Sequence, residues 1–155
     1  MRPLGRPLGV WLQLLLALSF VLLPGCAVTL VPEYDQATEE KLIATYESVN
    51  RLYDSLAEAD PAARAYDGYS KAWADVATDL RVLAMRQKAR PDNEESQKII
   101  DTLLANWETA RALHKKRSGQ PEHRDDPYLD SQIALDRAQF EAQFSAAVAA
   151  EVFKK

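Results

Sequence analysis

Cysteine is nearly absent from this sequence: Cys26 is the only one among 155 residues. A lone thiol cannot close a disulfide within the chain, so the fold must be stabilised by packing. Histidine is scarce as well, with only His114 and His123. No His-Glu-x-x-His, Glu-x-x-His or Cys-x-x-Cys-His spacing occurs, which disfavours di-iron and c-type haem chemistry. The five glycines build no phosphate-binding loop, and no serine or cysteine sits in a nucleophile signature with histidine. Basic charge is outnumbered, with 19 Lys and Arg against 23 Asp and Glu. No stretch alternates with the two-residue period of a half-buried strand.

What is present begins with a leader. Arg2 and Arg6 precede any acidic residue, and an apolar run from Val10 to Leu23 follows, broken only by Gln13 and Ser19. Fourteen helical residues at ~1.5 Å each would span about 21 Å, short of the ~30 Å hydrocarbon core of a bilayer. A basic start, a short apolar run and a small residue before a cut site read as a secretory signal over residues 1–25, removed in the mature chain.

Leu23-Pro24-Gly25-Cys26 resembles the bacterial lipobox, with an apolar residue three before the cysteine and a small one just before it. The resemblance implies that the Cys26 sulfur takes a diacylglyceryl group, that cleavage follows Gly25, and that the new amine is acylated with a palmitate-type chain. Each buried CH₂ contributes ~0.8 kcal/mol, so one chain anchors marginally and several hold firmly. Ala27 stands where many lipoproteins retained in the inner membrane of Gram-negative cells carry aspartate. The implied location is the outer membrane, facing the periplasm. Without Arg2 and Arg6, 17 basic residues face 23 acidic ones, a net charge of −6. That balance argues against nucleic acid and against adhesion to anionic lipid.

Residues 27–34 show no helical pattern and read, with Cys26, as a lipidated tether. Residues 35–155 read as one all-α domain. The first helix is expected over 36–58, capped by Asp35, with Leu42, Tyr46, Val49, Tyr53 and Leu56 on one stripe and Ile43 and Leu52 widening it. The second is expected to start at Asp60-Pro61 and run to about 89, with Ala62, Tyr66, Tyr69, Trp73, Val76, Leu80 and Leu83 inward. The third is expected from Asp92, with Glu95 completing a capping box. Its stripe is Ile100, Leu103, Trp107, Ala110 and His114, flanked by Ile99, Leu104 and Leu113. The fourth is expected from Asp126-Pro127 to about 152, with Leu129, Ile133, Phe140, Phe144 and Val148 inward. Short connections and similar lengths predict an up-down-up-down four-helix bundle. Turns centred near 59, 90 and 122 would place Tyr46, Trp73, Trp107 and the segment from Arg137 to Phe140 at one height.

Few residues suggest chemistry. Asp75 and Asp79 lie one turn apart and are weak interaction candidates for a cation or a basic partner; Arg81, Arg86 or residues of the third helix could neutralise them instead. His114 reads as a helix-terminal histidine near the dipole, in preference to a metal or haem ligand. Asn50 and Asn106 adjoin the stripes and could fix register. Tyr46, Tyr53, Tyr66 and Tyr69 gather at the first hairpin, where packing explains them and a partner groove is the alternative.

Tyr34-Asp35 with Thr38, Tyr66 with Tyr69, Asp75 and Asp79, Arg90-Pro91 with Asn93, and Phe140 with Phe144 resemble a family of small, uncharacterised proteobacterial lipoproteins. The resemblance implies a secreted, lipid-anchored helical domain, carries over no catalytic residue, and assigns Asp35 and Asn93 as helix caps. The expectation is a non-enzymatic module of the bacterial cell envelope. It is held to the membrane through Cys26, binds another envelope protein, and uses no cofactor or metal. The alternative is a helical bundle that binds or senses a small ligand or cation.

Overall fold

The computed structural model describes residues 32–155. The leader, Cys26 and the tether as far as Val31 lie outside the described residues, as do the expectations that rest on them.

Helix α1 spans Gln36–Glu58. Asp35 holds extended backbone and its carboxylate accepts from Ala37 N at 3.1 Å, while Thr38 Oγ1 donates to its other oxygen at 2.7 Å. This closes the exposed first turn. Leu42, Val49, Leu52, Tyr53 and Leu56 are buried, with Tyr46 half-buried beside them. Ile43 does not widen the stripe: it is 45 % exposed, because it follows Leu42 by one residue and so turns about 100° away.

Helix α2 spans Tyr66–Lys88. Asp60-Pro61 caps only a three-residue 3-10 turn, Pro61–Ala63, and not the long helix. The backbone turns extended at Ala65, with ψ 138°, before α2 begins. Ala62 is therefore exposed and off the stripe, whereas Tyr66, Trp73, Val76, Leu80 and Leu83 are buried as expected.

Helix α3 spans Glu94–Ser118 and starts two residues after Asp92. Asp92 occupies the left-handed region at φ 53°, where aspartate is tolerated better than most residues, and cannot serve as the cap. Asn93 takes the N-cap position without a side-chain capping bond, because the oxygen that would cap, Oδ1, accepts from Lys154 while Nδ2 donates to Gln87 O. Ile100, Leu103, Trp107, Ala110 and His114 are buried; Leu113 is 41 % exposed.

Helix α4 spans Asp130–Val152. Asp126-Pro127 does not start it. Residues 126–129 remain irregular because Tyr128 is drawn fully into the core, leaving Leu129 39 % exposed. Ile133, Phe140, Phe144 and Ala147 are buried, and Val148 is partly so.

The four helices form an up-down-up-down bundle: each packs on its neighbours in chain order, and α4 closes against α1. At mid-height Trp73 and Trp107 meet at 4.4 Å between ring centroids, with Phe140 5.1 Å from Trp107. The fourth member of that layer is Tyr53, at 6.1–6.4 Å from Trp73, Trp107 and Phe140. Tyr46, expected there, sits farther along and pairs with Phe144 at 5.3 Å. The Pro61–Ala63 turn and the Arg64-Ala65 reversal lengthen the first connection and shift α2 along α1. Trp107 Nε1 donates to Trp73 O at 3.0 Å, so the layer is fixed by a directed bond as well as by area.

Candidate functional site

Antiparallel packing gives the bundle two unlike ends. The entry end, where the described chain begins, gathers the N-termini of α1 and α3 with the C-termini of α2 and α4. Glu151, 1 % exposed, is its hub. Its carboxylate accepts from Arg90 Nη1 at 3.1 Å, from Lys154 Nζ at 2.8 Å and from Asp35 N at 2.8 Å. Two cations and a backbone N–H thus satisfy one buried carboxylate, which an unpaired acid there could not tolerate. Lys154 also donates to Asn93 Oδ1 at 3.0 Å, and Asn93 Nδ2 donates to Gln87 O at 3.1 Å. Arg86 pairs with Asp35 at 2.7 Å. Partial burial works to raise the Asp35 carboxyl, but bonds from Thr38 and Arg86, the Arg86 charge and Ala37 N–H outweigh it and hold it at about 2.

The same network grips the incoming chain. Arg90 Nη2 donates to Glu33 O. Tyr34 Oη donates to Glu39 at 2.6 Å, and Lys155 bridges Glu39 at 3.2 Å while lying 4.7 Å over the Tyr34 ring. Residues 33–35 are therefore part of the folded body.

The far end is organised by His114 and Arg64. His114 is fully buried on the α3 stripe, and its ring is bonded to Trp73 and Arg64 in place of the expected role at the helix dipole. Its Nδ1 accepts from Trp73 Nε1 at 3.0 Å; the indole can only donate, so Nε2 carries the proton and donates to Arg64 O at 2.7 Å. Burial lowers the imidazole pKa, against the raising effect of the Arg64 carbonyl, and favours the neutral ring. Tyr128 stacks on it at 4.5 Å. Arg64, 3 % exposed, donates to Ala59 O at 3.2 Å and Tyr128 O at 3.2 Å and pairs with Asp130 at 2.7 Å. A cation there complements the negative end of α1. Tyr128 Oη donates to Asp136, which is buried on α4 and also accepts from Gln132 at 2.7 Å. Burial first, then the neighbouring Tyr53 and Asp136, push the Tyr128 phenol far above its ordinary range.

Asp75 and Asp79 do not converge. Asp75 pairs with Lys71 on its own helix at 2.5 Å, and Asp79 pairs across to Lys41 of α1 at 2.6 Å. The neutralising groups differ from those expected: Arg81 pairs with Glu108 and Arg86 with Asp35. Such half-exposed pairs contribute ~0–1 kcal/mol each. Asn50 and Asn106 are half-buried. Among the described residues no three His, Cys, Asp or Glu side chains lie close enough to hold a metal ion. No helix among them is long and apolar enough to cross a membrane.

Asp75 does border a groove of about 430 Å³ between α1 and α2. Ser48, Ser55, Gly68 and Ala72 keep it open, Leu52 and Tyr69 give it apolar surface, and Arg51 stands at its margin. A Cβ built on Gly68 would meet nothing within 4 Å, so no internal packing requires glycine there.

The unpredicted functional-looking residues are Arg64, Tyr128, Asp136 and Glu151. Asp136 and Glu151 had a readable signal. They continue the α4 stripe at spacings of three and four, from Ile133 through Asp136, Phe140, Phe144 and Ala147 to Glu151. No protein-family model, curated protein or solved structure matches this chain.

Proposed function

We propose that this chain is a lipid-anchored, non-enzymatic module of the bacterial cell envelope, held through Cys26 and presenting its bundle to another envelope protein. The observation that carries the reading is the grip on Glu33 to Asp35 by Arg90 and Glu151. Glu33 is the seventh residue after Cys26. At ~3.3 Å per residue the reach is about 23 Å, so an acylated Cys26 would hold the bundle close to the lipid. The conspicuous polar groups support a structural role for the interior: His114 is bonded to Trp73 and Arg64, Asp136 to Tyr128 and Gln132, and Glu151 to Asp35, Arg90 and Lys154. The α1–α2 groove is the surface offered for the partner, since its small side chains admit a protruding side chain and Tyr69 and Arg51 suit an interface. The implied location is the outer membrane, periplasmic side.

Cys26→Ala tests the anchor. Wild type is expected in the membrane fraction carrying a metabolically incorporated acyl label, and the variant is expected to lose the label and leave that fraction. An unlabelled, membrane-bound wild type overturns the reading. A photo-crosslinker at Ala72 tests the partner arm: a discrete adduct in intact cells, abolished by Gly68→Leu, is expected. A crosslinker at Ala72 that captures no protein removes the groove.

A further inference from the structure

The entry end carries a feature that the hydrogen-bond network leaves unused. Phe153 is 88 % exposed and Met85 70 % exposed, the two most open of the large apolar side chains among the described residues. Val152 adds to them at 37 %. Phe153 follows α4 directly, and Met85 lies in the last turn of α2, so they stand on opposite sides of the same end of the bundle. That is the end at which Glu33 and Asp35 are gripped. An isolated exposed apolar residue needs no explanation, and Leu135 at the far end is 62 % exposed. Position separates the two cases: Phe153 and Met85, with Val152, lie at the end that grips Glu33 and Asp35, and Leu135 does not.

We infer that the entry end rests on the lipid surface, with Phe153 and Met85 entering the boundary between headgroups and acyl chains and α1 to α4 standing away from it. The inference rests on the lipid-anchor reading above. The tether of about 23 Å sets how far this end can drift from the membrane. Of the cations at this end four are committed, Arg86 to Asp35, Arg90 and Lys154 to Glu151, and Lys155 to Glu39, while Lys88 at the end of α2 stands exposed. Asp92, Glu94 and Glu95 add negative charge at the same end. The contact is therefore apolar and interfacial, suited to zwitterionic headgroups, and anionic lipid would weaken it. Paired aromatic and thioether side chains at a tether's exit limit the body's tilt in a way the tether alone cannot.

The test uses the full lipidated protein in phosphatidylcholine–phosphatidylethanolamine vesicles with brominated acyl chains, which quench indole on contact. Phe153→Trp and Leu135→Trp place reporters 18 residues apart, one at the C-cap of α4 and one in its second turn, about 27 Å at ~1.5 Å per residue. The unsubstituted protein supplies the background of the buried Trp73 and Trp107. The expected result is a blue-shifted, strongly quenched indole at position 153 and an unquenched one at position 135. Replacing part of the zwitterionic lipid by phosphatidylglycerol is expected to reduce the quenching at 153. Equal quenching at both positions means a bundle lying flat and overturns the inference. So does the absence of quenching at both, including the case where position 153 is shielded only in native envelopes, by a protein. Co-flotation with the vesicles is scored separately. A protein that does not float removes the anchor reading, while one that floats without selective quenching at 153 removes only the orientation.

Discussion

His114 shows how one buried side chain joins three segments. It receives the Trp73 indole proton and gives its own to the Arg64 carbonyl, so it needs one protonated and one bare nitrogen. Adding a second proton would remove the acceptor and place a charge among Tyr66, Trp73 and Tyr128. Because burial lowers the folded-state pKa, the unfolded chain binds that proton more readily. The stabilisation is complete above the ordinary value near 6.5 and is lost as pH falls through the lowered one. Thermal unfolding from about pH 7 to about pH 5 should show a falling Tm. His114→Gln keeps a donor for Arg64 O but cannot titrate. It should cost about 1–3 kcal/mol at pH 7, because the Trp73 N–H loses its acceptor, and should flatten the slope over this interval. An unchanged slope in the variant would assign the acid sensitivity to other groups. The sequence placed His114 on the stripe, but its partners come from residues 41 and 50 positions away, which only the tertiary fold reveals. Glu151 and Asp136 were hidden differently: their heptad positions were visible, but a charge at an inward position reads as outward until its counter-charges are known.

At the scale of elements, helix existence and inward faces were legible and three of the four starts were not. The α1 boundaries, 36 to 58, coincide with the cap chemistry of Asp35. The misplaced starts of α2 and α4 share one cause. Asp-Pro is compatible with any first helical turn, including a 3-10 turn that stops after three residues or an irregular approach. At both sites a large side chain beyond the proline, Arg64 or Tyr128, goes into the core and delays the helix. Gly68 lies in the first turn that results. Its φ is not in the left-handed region and the space for a Cβ is open. Gly68→Ala should therefore raise stability by up to about 1 kcal/mol, seen as a Tm higher by a few degrees, through reduced freedom of the unfolded chain. A lower Tm would mean that the turn needs a backbone only glycine supplies.

Across the whole molecule the aromatic layer and the two polar ends divide the work. Tyr53, Trp73, Trp107 and Phe140 supply buried area at mid-height, where loss of one ring would be felt by all four helices. The ends set register, and the entry end does so through a single carboxylate. Glu151 holds α4 to the start of α1 through Asp35 N and to the α2–α3 turn through Arg90. Glu151→Ala removes one acid and strands two cations, one of them, Lys154, with its side chain only 5 % exposed. Breaking a buried pair from one side costs about 3–5 kcal/mol, so a large fall in Tm is expected. The cost should be unevenly spread: amide exchange at Tyr34 and Asp35 should accelerate far more than at Trp73 or Trp107, because the grip on the incoming chain is lost while the aromatic layer keeps its contacts. Glu151→Gln retains an acceptor for Asp35 N and should fall between the two proteins in Tm while protecting that amide. Uniform acceleration across the bundle in Glu151→Ala would show that the entry end and the aromatic layer unfold as one unit. Glu151 would then set global stability without separately fixing the approach of the tether.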